Sequence, residues 1–141
     1  MAEPRLFTVA EAERTLPLVR RIMEDIMSVF PVWRAAVSRY ELLAANSRAD
    51  EGESRALITS REVVAREADR ISTFLTELEQ IGCIFKGFDA GVVDFYSLYE
   101  DRLVFLCWKP GEEHIAYWHE VGAGYGGRQP LEAAMLTEVR P

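Results

Sequence analysis

The residue types able to bind ligands or move protons are concentrated in one stretch, GVVDFYSLYEDRLVFLCWKPGEEHIAYWHEVGAGYGGRQP, from Gly91 to Pro130. It holds Asp94, Cys107, both histidines (His114 and His119), Trp108 and Trp118, and the acidic residues Glu112, Glu113 and Glu120. A glycine-rich loop ending in Arg128 closes it. One chemistry that fits is a divalent metal site using His119 with Asp94, Glu113, Glu120 or Cys107, because imidazole combines readily with carboxylate or thiolate around such ions. No HExxH or CxxC spacing is present, so the fold itself would have to assemble the ligands. A second is acid–base catalysis, with His119 titrating near neutrality and a carboxylate orienting its other nitrogen. A Cys107–His119–Asp94 thiolate triad is a narrower form of it, disfavoured because mid-strand cysteines are usually buried and inert. The bland alternative is a structural network, in which Asp94 accepts hydrogen bonds and His119 is a satisfied, half-buried side chain.

The loop glycines Gly122, Gly124 and Gly127 match GxGxxG in form only. A dinucleotide site needs a strand, the loop and a helix within a parallel sheet, with an acidic residue about 20 positions on. Here the chain is nearly over and Pro130 interrupts any helix start. What survives is a cradle of glycine amides plus Arg128 for a small anionic ligand, a carboxylate or phosphate. The competing expectation pairs Arg128 with Glu120 or Glu132. The aromatic residues Trp108, Tyr117, Trp118 and Tyr125 read as core or interface, with one of Tyr117 and Trp118 free to line a pocket.

These residues must be positioned by strands. After Gly82 the apolar period becomes two, with candidate strands at 83–86, 92–99, 102–108 and 114–119. A tight turn at Glu100-Asp101 places Tyr99 opposite Arg102 and Asp94 opposite Cys107. A second loop at 109–113 places Cys107 opposite Ile115, so that Tyr117 and His119 share the face of Asp94 and Cys107. Phe105, Leu103 and Ile115 are the expected apolar neighbours. A one-residue slip in that loop would send His119 to the other face with Trp108. A last helical turn is expected at 130–136.

The first part of the chain is helical. Thr8 and Glu11 form a capping box. Val19, Ile26, Trp33 and Tyr40 repeat every seven residues, with Ile22, Val29, Ala36 and Leu43 three residues after each. That is the seam of a long helix lying along a partner. Pro17 and Pro31 fall furthest from the seam, where a proline can bend a helix without breaking it. Asn46 to Gly52 is turn-like, and a second helix follows at about 54–81. Leu57, Val64, Ile71 and Leu78 line its seam, but Ser60 and Glu67 interrupt it. Glu62, Glu67, Glu77 and Glu79 are expected in solvent, and Gly82 as the helix stop. Large apolar residues beyond the seam, among them Met27, Phe30, Val37 and Leu75, predict a homodimer in which two hairpins form a four-helix bundle.

Composition narrows the classes of function. At 141 residues, 49% hydrophobic and 28% charged, the chain reads as one soluble domain. A net charge of -7 without a basic face argues against nucleic acid. No apolar run approaches the ~20 residues that span a bilayer. Two cysteines and no leader-like N-terminus predict a cytoplasmic protein with reduced thiols.

The chain also resembles a bacterial family known as a domain of unknown function. The resemblance is carried by FTVAEAERTLPLVR (Phe7 to Arg20), GVVDF (Gly91 to Phe95), LCW (Leu106 to Trp108), Gly111-Glu112, YWH (Tyr117 to His119), and Gly127, Arg128 and Pro130. It spans nearly the whole chain and implies the organisation, with no activity attached.

The expected fold is therefore α+β: a long antiparallel helical hairpin at about 8–81, then a small antiparallel β-meander with the glycine-rich loop at about 83–136. The expected function is a ligand- or partner-binding module using Asp94, Trp108, Glu112, Tyr117, Trp118, His119 and Arg128. The alternatives are a metal-dependent or acid–base enzyme centred on His119 and a purely structural dimerisation protein.

Overall fold

The structure is a computed structural model that describes residues 4–48 and 52–136. Two long helices packed together precede a five-stranded antiparallel sheet, an α+β fold. Helix α1 (Val9–Ala45) and helix α2 (Arg55–Ile81) are followed by β1 (Ile84–Phe85), β2 (Val93–Tyr99), β3 (Arg102–Trp108), β4 (Tyr117–Glu120) and β5 (Gln129–Pro130). A short helix α3 (Ala133–Leu136) ends the described chain. The described residues divide into two compact units, one within 24–76 and the other made of those in 4–23 and 77–136.

Within residues 24–76, α1 runs to Ala45 and α2 starts at Arg55; the turn expected at 46–52 lies partly outside the described residues. α1 runs unbroken through Pro17 and Pro31, both of which are exposed, as their place away from the seam predicts. Ile26, Val29, Ala36, Leu57 and Ile71 are buried, whereas Trp33, Tyr40 and Val64 are only half-buried. Ser60 and Glu67 stay on the seam and are buried. Glu67 is thus not the solvated residue expected of it. Seam geometry overrides its polarity, and Arg70 and Arg66 on the helix surface compensate, Arg70 at 3.0 Å.

The second unit begins with the capping box. The Glu11 amide donates to Thr8 Oγ1 at 3.1 Å, and the Thr8 amide donates to Glu11 Oε1 at 2.8 Å. Just before it, the Phe7 amide donates to the Tyr96 carbonyl at 2.8 Å and Ser97 Oγ donates to the Phe7 carbonyl at 2.6 Å. The chain entry is thereby tied to the edge of β2. Gly82 adopts φ +105°, a conformation strained for any residue with a side chain, and packs closely against Arg5 and Phe7, so glycine suits the end of α2.

The sheet order is β1-β2-β3-β4-β5. Glu100 and Asp101 form the two-residue turn with φ 52° and 61°, so Tyr99 pairs with Arg102 and Asp94 with Cys107. The next hairpin departs from expectation. Its loop covers 109–116, β4 starts at Tyr117, and Cys107 pairs with Tyr117 rather than with Ile115. The polar groups of 109–115 are taken elsewhere. Trp108 Nε1 donates to the Glu112 carbonyl, the Lys109 amide to Glu112 Oε1, Arg20 to the Glu113 carbonyl, and the Ile115 amide to Glu13 on α1. The register shift is two residues, which leaves every side chain of β4 on its expected face. β5 is an addition that the sequence did not suggest.

One sheet face carries Val93, Phe95, Ser97, Val104, Leu106, Trp108 and Trp118, all buried. Phe7 packs edge-on against Phe95 at 5.1 Å, and Arg20 of α1 lies over Trp108 at 5.7 Å, so this is the face turned to the core. The other face carries Asp94, Tyr96, Phe105, Cys107, Tyr117 and His119.

The left-handed turn at Glu100-Asp101 suits glycine better than any residue with a side chain. Asp101→Gly is therefore expected to raise unfolding free energy by up to about 1 kcal/mol in urea titration, and a loss of stability would show that the turn is held by side-chain contacts instead.

Candidate functional site

The second face brings Asp94, Cys107 and His119 together. Asp94 and Cys107 are directly opposed on β2 and β3, and His119 lies diagonally on β4, beside Phe105. All three are buried, and their ligand atoms lie within 4.8 Å of one another. Asp94 and His119 also line a cavity of about 220 Å³ together with Lys86, Ala90, Val92, Val121, Gly124 and Tyr125. Ordinary alternation along the strands produces the cluster, and the loops after β1 and β4 roof it.

His119 is held at both nitrogens. Nδ1 lies 2.7 Å from the Glu120 carbonyl, an acceptor only, so Nδ1 carries the proton and donates. Nε2 lies 3.1 Å from Asp94 Oδ2, with one proton held between them. The other carboxylate oxygen, Oδ1, is buried and has no hydrogen-bond partner. Burial raises the Asp94 pKa above the usual carboxylate range, against the opposing pull of His119, of the Cys107 thiol and of Lys86. The Cys107 thiol hydrogen-bonds toward the carboxylate and so lowers its pKa in part, while Oδ1 itself meets no partner in good hydrogen-bond geometry. The Lys86 ammonium is 3.9 Å from Oδ2 and sits 4.5 Å over the Phe105 ring. Lys86 was not among the residues singled out in the sequence. It carries no motif, and only the β1–β2 pairing brings it to the site.

Cys107 is fully buried, and burial first, then Asp94, push its thiol up to about 12. It is a poor nucleophile at neutral pH, so the Cys107–His119–Asp94 triad has no thiolate to use.

The remaining candidates fall into three places. Arg128 Nη2 donates to both oxygens of Glu112, at 2.8 and 2.6 Å, instead of pairing with Glu120 or Glu132. The guanidinium lies 4.0 Å from the Tyr117 ring centre and 5.0 Å from that of Tyr125. This stack pins the glycine-rich loop to the sheet, and it neutralises the charge that an anionic ligand would seek. Gly127 fits only because it lacks a Cβ, which would come within 2.6 Å of Ala123 Cβ. Trp108 and Trp118 belong to the core-facing side; Trp118 packs on Tyr99 at 5.5 Å. Neither reaches the cluster. Glu120 pairs with Arg102 at 2.9 Å on that same face, and Glu113 is exposed, so neither carboxylate joins His119 as a ligand. His114 is exposed and meets Glu13. Of the expected apolar neighbours only Phe105 borders His119, at 5.4 Å; Leu103 is exposed at the far end of β3, and Ile115 precedes β4.

The sequence profile of one family, described as "Uncharacterized conserved protein (DUF2203)", matches residues 5–131. The chain belongs to this family. No curated protein and no solved structure matches it. The DUF2203 match includes both helices, the whole sheet, and every residue of the cluster and its roof. No helix is long and apolar enough to cross a membrane among the described residues.

The two thiols generate a direct test. Burial pushes Cys83 as well as Cys107 up to about 12, and neither forms a disulfide. Ellman's reagent at pH 7.5 is expected to label neither thiol in the native protein and both after denaturation; rapid native labelling of Cys107 would contradict its burial.

Proposed function

We propose that this DUF2203 protein is a ligand-binding module whose site is the cavity above Asp94 and His119, roofed by the glycine-rich loop. The observation that carries the reading is the buried, unpartnered Oδ1 of Asp94 in a side chain that lines the cavity. Proteins seldom leave a buried carboxylate oxygen without a partner, because the desolvation goes uncompensated. Such an oxygen suits a ligand that brings a donor or a positive charge. Binding is favoured over acid–base catalysis because Nδ1 is tied to the Glu120 carbonyl and Nε2 already shares its proton with Asp94, so a substrate would have to displace Asp94 before exchanging a proton there. The neutralised Arg128 likewise weighs against an anion as the ligand. Two free, buried thiols suit a reducing compartment, and we place the protein in the cytoplasm.

Stability of the ligand-free protein tests this reading. A ligand site carries a group poorly suited to the folded state alone, whereas a structural network depends on it. Asp94→Asn, which keeps the shape and can donate to Nε2, is expected to change unfolding free energy by less than about 1 kcal/mol; a loss of about 3–5 kcal/mol would mark an essential buried pair and overturn the reading. The pH dependence has a definite sign. The folded pKa of Asp94 is raised, so its contribution to stability is full below the unfolded value of about 4 and is lost as pH rises through the folded value. Wild type is therefore expected to lose stability relative to Asp94→Asn between acid and neutral pH.

A homodimer is the second part of the proposal. Within residues 24–76, Val32 and Leu42 are 51% and 66% exposed, with Met27 and Ile58 at 38% and 40%. Apolar side chains at such exposure on paired helices suit burial against a second hairpin. Light scattering after size exclusion is expected to give twice the 16.0 kDa chain mass, and Val32→Lys with Leu42→Lys to give the monomer; a monomeric wild type would remove this part.

A further inference from the structure

The cluster beneath the cavity has the donor set and geometry of a transition-metal site. Resting on the ligand-binding reading above, we propose that the ligand is a divalent zinc-like ion held by a carboxylate oxygen of Asp94, the Cys107 thiolate and His119 Nε2. The three atoms come from adjacent strands and lie within 4.8 Å of one another, with Nε2 and Oδ2 already at 3.1 Å. Tetrahedral zinc, with bonds of about 2.0–2.3 Å, places its ligand atoms about 3.3–3.7 Å apart. Side-chain rotations that draw the set together by up to about an ångström complete the site.

Three further features fit. The Nδ1 proton is donated to the Glu120 carbonyl at 2.7 Å, which directs the Nε2 lone pair at the ion, the usual arrangement behind a metal-bound imidazole. Asp94 Oδ1, unpartnered in the protein alone, gains its missing electrostatic partner nearby. A buried thiol beside a buried carboxylate, unfavourable once ionised, becomes favourable next to a divalent cation. Sulfur, nitrogen and oxygen together select zinc, cobalt or nickel over magnesium and calcium, which favour oxygen alone. Lys86 is the counter-charge in the metal-free protein. Its side chain is 39% exposed and can withdraw into water when the cation arrives. Three protein ligands leave a fourth position, and the two that line the cavity, Asp94 and His119, turn it toward Gly124 and Tyr125, where water or a small molecule can bind.

Proton balance makes the proposal specific. Binding displaces the Cys107 thiol proton and the proton held between Asp94 and His119, so each ion releases two protons to solvent. No electron transfer is involved.

The test uses full-length protein purified without a histidine tag and stripped with chelator. Titration with Co2+ is expected to give one equivalent bound, a thiolate-to-cobalt charge-transfer band in the near ultraviolet, and the intense visible bands of tetrahedral cobalt. Zn2+ added to the metal-free protein should release about two protons per ion at pH 7.5, and Zn2+ added to the cobalt form should displace the cobalt with no further proton release. Cys107→Ala should abolish the charge-transfer band and weaken Zn2+ binding at least about 100-fold, since even outer-shell partners of a metal are worth 10–100-fold. Cys83→Ala should leave the band unchanged. Absence of stoichiometric binding, or a band that survives Cys107→Ala, overturns the metal assignment. The stability of metal-free Asp94→Asn decides separately whether the ligand-binding reading stands without it.

Discussion

Side chains of a pleated strand alternate between faces, and the site depends on that constraint more than on any single contact. The left-handed pair Glu100 and Asp101 closes β2 onto β3 with no freedom of register, and Asp94 then has to face Cys107. The loop between β3 and β4 is longer and is held by Glu112, by Arg20 and by Glu13, so it sets its own register. It moves β4 by an even number of residues relative to the shortest closure. His119 therefore keeps the face of Asp94, and an odd step would have put it beside Trp108 instead.

The two faces then divide the labour. The core-facing side buries Trp108, Trp118, Phe95 and Leu106 and supplies the apolar area that holds the sheet to its helix. The opposite side buries charge. Asp94 and His119 are each about 1% exposed, a placement that burial alone disfavours and that their shared proton and Lys86 only partly offset. Arg128 and Glu112 carry a second charge pair at the edge of this face, stacked on Tyr117 and Tyr125, and it fixes the roof. Structural charges hold the loop, and the unsatisfied charge lies beneath it.

The helices show how far local rules extend. The capping box, the unbroken passage through Pro17 and Pro31, and the buried seam of Ile26, Val29 and Leu57 all follow from residue spacing. The half-burial of Trp33, Tyr40 and Val64 does not, since periodicity states which side a residue faces and not how much covers it. Glu67 makes the same point: its seam position was plain, its burial follows from how closely the seam is covered, and Arg66 and Arg70 on the helix surface compensate its charge.

What the sequence by itself determined is whatever rests on contacts within a few residues. These are the two helices and their ends, the strands β2 and β3, the turn between them, and the face shared by Asp94 and Cys107; His119 joins that face only through the register that the long β3–β4 loop takes from its contacts with α1. Propensity, capping and the two-residue period act locally and leave a readable pattern. Only the tertiary structure decided that Glu112 and not Glu120 receives Arg128, that Lys86 comes over Asp94, that Glu113 and Glu120 stay away from His119, and that Oδ1 is left without a partner. Those outcomes join residues far apart in the chain through loops with no repeat of their own, and a long-range contact in an aperiodic loop leaves no spacing to read.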